Sequence, residues 1–499
     1  MTDLSRALRA AAILGALGVL GAQSFAQQDT PDQQARRLLE DGRNYWAQGK
    51  TKQALENFET IVTGFAATDA VDDALLEIGR YRLDVDGDVD KARASFDQVA
   101  KQFPQSDSAP GAYYYLGLMT LNRARSAAEL DDAQAQFSRL MTLYPRSDYW
   151  VPKALQARGL VWRKAGKLEE ALEAQRRVSL EYPSSDAAPA AQLEIGQLLA
   201  LLGQVFPAME EMQAVRNRFP ESPEARVALD RITALYRLYG TGKAVYTPDS
   251  AFSVGAGDVL KDVRALLVTP TGSVWIASDK TKSAVSFDPA GKMGASLPAE
   301  DPRSLSLSAK GELVFTTRAA VRVGPKDIKT FAIPGDKLIP EPLEKLTAAV
   351  RTPLGSTLVA DEKKNRVYRF DGALEYRDTF PAAKDAKSRA ITRMFLDGEG
   401  AIVCLDREEK TVKAYDENGA LLRTVGPAGL KHPVDAAVDP FRNTYVADED
   451  GGVQVFGPKG QVIASLSVEE VKKPKALGLD PAGAILVYDE KAQKVLRFK

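Results

Sequence analysis

Four carboxylates recur at one place in a repeated pattern. Gly355-Ser-Thr-Leu-Val-Ala-Asp361, Gly400-Ala-Ile-Val-Cys-Leu-Asp406, Arg442-Asn-Thr-Tyr-Val-Ala-Asp448 and Gly483-Ala-Ile-Leu-Val-Tyr-Asp489 each end an apolar run on an aspartate. Repeat symmetry would gather such residues around one axis, where they could hold a cation or move a proton. The competing reading is structural. An Asp before a tight turn accepts from the backbone N–H groups that follow it and fixes the hairpin. Every unit of a repeat needs that, so the rhythm favours the structural reading. No catalytic, cofactor-binding or metal-ligating residue is predicted, and no cofactor.

The remaining reactive residues are few. His432 is the single histidine and stands before Pro433, so a triad would have to use it, and a site built from several histidines is excluded. Cys404 is the single cysteine; within AIVCLD it reads as a buried core residue, and no intramolecular disulfide can form. GAGD at 255–258 lies among strand patterns and so is not a phosphate loop opening a helix. Phe206, Met209 and Met212 read as core, and Lys472-Lys473-Pro474-Lys475 as a solvated surface. Tyr113-Tyr114-Tyr115 differs, because three consecutive helical residues cannot all point inward and at least one should be exposed. Exposed tyrosines suit protein binding, so Tyr113, Tyr114 and Tyr115 are the candidate partner-binding residues.

The elements that carry these residues fall into two halves. From 27 to 240 three markers share one rhythm: the aromatics Phe65, Phe103, Tyr144, Tyr182 and Phe219; the glycines Gly42, Gly79, Gly117, Gly159 and Gly196; and the alanines Ala54, Ala92, Ala133, Ala171 and Ala208. The aromatic should close a helix, the following Pro should stop it, and Ser or Asp should cap the next. Gly and Ala mark the close approach of two helices, with Phe58, Phe96, Phe137 and Met212 facing the space between. Five helical hairpins and a terminal helix, Glu224–Tyr239, are predicted, stacked as a solenoid. From 244 to 499 the apolar runs recur every 39 to 45 residues, with copies at Gly272–Ser278 and Gly311–Thr317 that carry a hydroxyl in place of Asp. Six copies predict six blades of four strands. The last copy supplies three strand-like runs before Lys499, so 244–255 is the expected fourth strand that closes the ring. A linker at 241–243, within Tyr239-Gly-Thr-Gly-Lys243, could hinge unless that closure restrains it.

Composition excludes some partners. The chain of 499 residues carries 66 basic and 67 acidic side chains, which provides no concentrated positive field for nucleic acid or acidic lipid. Residues 1–26 have the layout of a secretory signal: Arg6 and Arg9, an apolar run from Ala10 to Gly21, then Ser24 and Ala26 before a predicted cut after Ala26. That apolar run is shorter than the ~20 residues a spanning helix needs, and no later segment is long enough, so no integral membrane segment is expected after cleavage. Export without disulfides suits a bacterial periplasm, or secretion.

The joint Tyr182-Pro-Ser-Ser-Asp-Ala-Ala-Pro-Ala190 is similar to the "YPxSDxAPxA" joints of the tetratricopeptide family in its long-period form. Periplasmic cell-division coordinators and outer-membrane assembly lipoproteins share them. Unlike those relatives, the chain has no lipidation cysteine and no long coiled coil. The second half resembles the NHL-repeat family: within His432–Gly460, residues His432, Pro433, Val438, Asp439, Asn443, Tyr445–Asp448 and Val453–Phe456 match its pattern. Some propellers of that type are zinc lyases using several histidines. The fold class expected is therefore multidomain α plus all-β, a tetratricopeptide-like α-solenoid followed by a six-bladed β-propeller. The function expected is a non-catalytic, exported protein–protein interaction scaffold of the cell envelope, with one partner in the helical groove and another on the propeller. The alternative is a periplasmic propeller enzyme, or a carbohydrate- or small-ligand-binding protein, with an acidic funnel site, Ca-dependent forms included. The identity of the partners and the oligomeric state are left open by the sequence.

Overall fold

The computed structural model of the protein describes residues 29–242, 246–324, 327–335, 340–381, 390–426 and 429–499. The signal segment 1–26 and part of the 241–243 linker lie outside these. Eleven helices occupy 31–239: α1 (Pro31–Ala47), α2 (Thr51–Gly64), α3 (Val71–Tyr81), α4 (Val89–Gln102), α5 (Ala109–Arg123), α6 (Ala127–Leu143), α7 (Trp150–Lys164), α8 (Leu168–Glu181), α9 (Ala188–Leu201), α10 (Val205–Arg218) and α11 (Pro223–Tyr239). They are the five hairpins and the terminal helix that the repeat markers predict.

The glycines sit where they must. A Cβ on Gly42, Gly79 or Gly117 would lie 2.4, 2.5 or 2.6 Å from the ring of Phe58, Phe96 or Phe137. Glycine therefore lets each ring lie flat against the opposing helix backbone, and all three rings are fully buried. The fourth hairpin departs from this rule. Gln175 occupies the aromatic position against Gly159, and its Nε2 donates to the Gln156 carbonyl at 3.0 Å.

The joints between hairpins use a different cap from the one expected. Phe65, Phe103, Tyr144, Tyr182 and Phe219 do close α2, α4, α6, α8 and α10. The hydroxyl residue three positions on then turns back, with the backbone N–H of Thr68, Ser106, Ser147, Ser185 and Ser222 donating to the aromatic's carbonyl. The N-caps of α3, α7 and α9 are Ala70, Tyr149 and Ala187, none with a side-chain cap bond. The hydroxyl residues of the motif thus build the turn before the helix, and Ser147 also accepts from the first N–H of α7, that of Trp150, at 3.3 Å. Side-chain caps appear elsewhere, as capping boxes at Thr30/Gln33 and Ser126/Glu129.

Six blades follow. The first holds β1 (Val263–Val268), β2 (Val274–Ser278), β3 (Ser283–Phe287) and β4 (Met293–Pro298). The second holds β5 (Pro302–Leu307), β6 (Leu313–Thr317), β7 (Val321–Val323) and β8 (Asp327–Lys329). A two-stranded ribbon, β9 (Ala332–Pro334) with β10 (Pro340–Pro342), is inserted before the third blade. That blade holds β11 (Leu346–Arg351), β12 (Thr357–Asp361), β13 (Arg366–Phe370) and β14 (Tyr376–Phe380). The fourth holds β15 (Ile391–Leu396), β16 (Ile402–Asp406), β17 (Thr411–Tyr415) and β18 (Leu421–Val425). The fifth holds β19 (Pro433–Val438), β20 (Thr444–Asp448), β21 (Gly452–Phe456) and β22 (Val462–Leu466). The last, β23 (Pro474–Leu479), β24 (Ile485–Asp489) and β25 (Lys494–Phe498), has three.

The last blade gains its fourth partner from ahead of the first. Thr247 and Lys499 exchange backbone hydrogen bonds at 2.9 and 3.0 Å, the Asp249 N–H donates to the Arg497 carbonyl at 2.8 Å, and Pro248 lies opposite Phe498. Asp249 is also paired with Arg497 and Lys499, which hold its carboxyl below the usual range. The paired stretch is short, since the chain turns at Phe252, whose N–H returns to the Asp249 carbonyl.

Residue contacts divide the chain into two compact units, one ending at Leu116 and one running from Gly117 to Lys499. The later helices therefore belong with the propeller.

Candidate partner-binding site

The turn aspartates spend their oxygens on backbone. Asp361 accepts from the N–H groups of Glu344, Lys345 and Lys364, and Asp448 from those of Lys431, His432 and Asp450. Asp489 accepts from Lys472, Lys491 and Ala492, and Asp406 from Glu408 and Glu409. Each carboxylate fixes its own hairpin, and three of the four also tie the chain leading into the innermost strand. Among the described residues no three His, Cys, Asp or Glu side chains are arranged to hold a metal.

The other sequence candidates resolve as follows. Cys404 is buried in β16, where burial pushes its thiol up to about 12. His432 lies at the surface with Nδ1 against Asp450. Lys473 and Lys475 are paired with Glu490 and Glu449. Met212 is core, but Phe206, expected beside it, is 60% exposed at the first turn of α10.

The tyrosine run lies on α5, and its exposure differs from the expectation. Tyr113 is buried, while Tyr114 and Tyr115 are half-buried; none of the three is exposed. Tyr115 stacks on Phe96 with ring centroids 4.9 Å apart, and Tyr114 meets Tyr115 edge-on at 5.5 Å. Burial pushes the Tyr115 hydroxyl up to about 12. Equivalent helices add aromatic and guanidinium neighbours: Trp46 meets Tyr81 edge-on at 6.0 Å, and the Arg80 guanidinium lies 5.6 Å from the Trp46 ring. Arg80 also pairs with Glu77 at 2.7 Å, and its charge reaches Tyr115. Trp46, Arg80, Tyr114 and Tyr115 thus form a half-buried group on three first-of-hairpin helices, of the residue types that dominate binding hot spots.

Within the larger unit the helices are fastened to the propeller by groups that sequence reasoning did not single out. Glu399, in the β15–β16 turn, takes Arg163 of α7 at 3.1 Å on one oxygen and Arg442 at 2.7 Å on the other. Burial raises the Glu399 carboxyl, and Arg442 and Arg163 outweigh it, leaving it below its ordinary value. Arg163 also chelates Glu194 of α9 at 2.7 and 2.9 Å. Gln197 of α9 donates to the Pro440 carbonyl, Arg237 of α11 to the Ala482 carbonyl, and Tyr239 Oη to Asn443 at 3.0 Å. A signal was present in the sequence. Arg442 occupies the place where the other copies of the run have Gly, and it holds a left-handed φ of 66°. That conformation costs a non-glycine residue about 1–2 kcal/mol, and here it carries the side chain to Glu399.

Where the innermost strands converge, Arg393 and Asp435 form a buried two-point pair at 2.7 and 2.8 Å. Asp435 also accepts from the Leu477 N–H, and Arg393 reaches the Arg264 carbonyl at 3.4 Å, so the pair touches four blades. They replace small residues found at the matching positions: Ala265, Ser304, Ala348 and Ala476.

A family model described as an outer membrane lipoprotein matches residues 31–205, and a tetratricopeptide repeat model matches 190–222. The helical half is tetratricopeptide-like. No curated protein matches the chain. Similar solved structures include a streptogramin B lyase, 12% identical, covering 48% of this chain and 78% of that one with a TM-score of 0.36. Another is a catalytically inactive virginiamycin B lyase from Staphylococcus aureus with quinupristin, 15% identical, covering 50% and 85% with a TM-score of 0.38. A third is a protein of unknown function from Bacteroides thetaiotaomicron, 10% identical, covering 51% and 71% with a TM-score of 0.36. Scores at this level say nothing about chemistry. The tetratricopeptide-like array and the propeller together point to protein interaction, and the lipoprotein match to the cell envelope. No helix among the described residues is long and apolar enough to cross a membrane.

Proposed function

We propose that the protein is an exported, non-catalytic interaction scaffold of the bacterial cell envelope, periplasmic or secreted once its leader is removed. One partner docks on the tetratricopeptide-like helices and a second on the propeller. The observation that carries this reading is the interlock of α7, α9 and α11 with the propeller turns around Glu399, Pro440, Asn443 and Ala482. Two independent modules would leave a free linker, whereas a binding module built from the later helices together with the propeller needs them fastened. The buried Arg393–Asp435 pair weighs against an acidic funnel, because the axial carboxylate is already neutralised. On the helical side Tyr114 and Tyr115, with Trp46 and Arg80, are the anchors, and Tyr113 supports them from inside.

The test is site-specific photo-crosslinking of the full chain in an envelope extract. A probe at Tyr114 should capture a discrete protein, and a probe at exposed Leu421 on β18 should not capture the same one. Identical bands from both positions, or none from either, would count against two separate docking surfaces.

A further inference from the structure

The edge between the second and third blades holds a cavity of about 280 Å³. That is about twenty times the ~10–15 Å³ needed to hold one water, more than a simple inorganic anion fills. Its wall carries two cations, Lys329 and Arg351, and, among the described residues, no carboxylate. Neither cation has an ion pair among the described residues, and both are half-buried. Its remaining surface includes Val323, Phe331 and Leu374. Phe331 is itself buried, held by the Phe370 ring at 4.6 Å.

A second observation marks the same place. Leu374 ends the β13–β14 turn, closing it with its N–H on the Asp371 carbonyl at 3.0 Å, at a φ of 66°. The matching residues of the first, fourth and fifth blades are Gly291, Gly419 and Gly460, each closing the same turn at positive φ. A leucine in that conformation is strained, and such strain collects where a side chain is needed for contact with a ligand. Here it puts an apolar side chain on the cavity beside two cations.

We propose that this cavity binds an organic carboxylate bearing an apolar or aromatic group. Arg351 offers a planar pair of N–H donors that fits a carboxylate on two points, Lys329 adds a second charge, and Phe331, Val323 and Leu374 take the apolar part. Such a group can come from the C-terminus of a protein ending in an apolar residue or from a free aromatic acid. The site stands whether or not the scaffold reading holds, because it rests on this cavity alone.

The experiment is calorimetric titration of the full chain with N-acetyl-phenylalanine, N-acetyl-phenylalaninamide, N-acetyl-leucyl-phenylalanine and phenylacetate. The acid should bind at least tenfold more tightly than its amide, and R351Q should weaken the acid at least tenfold without changing the amide. K329Q should weaken it severalfold. Leu374→Gly, which relieves the strained φ, should leave the melting temperature unchanged or raised and still lose at least fivefold in binding. Tighter binding of the dipeptide than of phenylacetate assigns the site to a protein C-terminus, and the reverse order to a free acid. Equal binding of acid and amide, wild-type binding by R351Q, or no binding of any probe at millimolar concentration overturns the proposal. If R351Q fails to fold, the acid–amide comparison and K329Q decide.

Discussion

Gly483 and Gly355 hold the same turn position in two blades, with φ of 78° and 81°, and their N–H groups close the turn on Asp480 and Thr352. Their surroundings differ. A Cβ on Gly355 would meet nothing within 4 Å, whereas one on Gly483 would lie 2.7 Å from the Ala234 Cβ and 3.0 Å from its Cα, on α11. Substituting alanine at either place costs about 1–2 kcal/mol for the left-handed backbone. Carbon atoms in contact prefer about 3.5–4.0 Å, so at Gly483 the helix must also move. Overpacking of this kind adds about 1–3 kcal/mol. Gly355→Ala therefore serves as the control for Gly483→Ala, and the difference reports the helix–propeller contact alone. A protein of several domains does not unfold in one step, so the readout is hydrogen exchange of the α11 amides in the full chain. Exchange there should speed up about 5- to 150-fold in Gly483→Ala relative to Gly355→Ala, the ratio that ~1–3 kcal/mol represents. Ala234→Gly in the Gly483→Ala background should recover part of the loss, since the 2.7 Å contact goes and the 3.0 Å one stays. Equal exchange in the two alanine variants would show that α11 does not bear on the propeller, and the interlock would fall with it.

Other outcomes follow from single contacts. Asp439 is buried beside Asn443 and Tyr445, and burial pushes its carboxyl up to about 6. A raised carboxyl contributes stability below its ordinary value that is lost as pH rises through 6. The wild type should therefore lose stability from pH 4 to 7 relative to Asp439→Asn, read at each pH as the difference between the two in hydrogen exchange of the β19–β21 amides. Asp448→Ala leaves the N–H groups of Lys431, His432 and Asp450 without their acceptor; a loss of about 2–4 kcal/mol is expected, seen as faster exchange confined to β19–β21. Gly79→Ala places a Cβ 2.5 Å from the Phe96 ring, at a cost of about 1–3 kcal/mol. Phe96→Leu in the same chain should return part of it in a melting experiment.

Much of the architecture was legible because repeats state the same rule several times. Gly42, Gly79 and Gly117 stood in rhythm with Phe58, Phe96 and Phe137, and the structure presses each pair together. The turn aspartates likewise proved to be hairpin anchors. What stayed hidden were departures from the repeat, which a consensus reading treats as noise. Gln175 in an aromatic position, Arg393 and Asp435 among alanines and serine, and Arg442 and Leu374 in place of glycine each mark a local demand that the other copies lack. The tyrosine run shows a second limit. Three consecutive helical residues span about 200° of the helix, which exposes one of them on an isolated amphipathic helix. A helix packed on two sides buries more of its circumference, and stacking on Phe96 takes up Tyr115. Phe206 failed in the opposite sense, since apolar character does not tell an exposed first-turn residue from a core one.

The central claim is that one chain holds two partners, one on the tetratricopeptide-like helices and one on the propeller. Its most direct test is co-purification from envelope extract using the full chain, the Tyr114→Ser/Tyr115→Ser chain and the Gly483→Ala chain as parallel baits. The account predicts two distinct proteins with the wild type, loss of one with the tyrosine variant, and weaker recovery of the other with the interlock variant. Unchanged recovery across all three baits, or a single protein insensitive to the tyrosines, would contradict it.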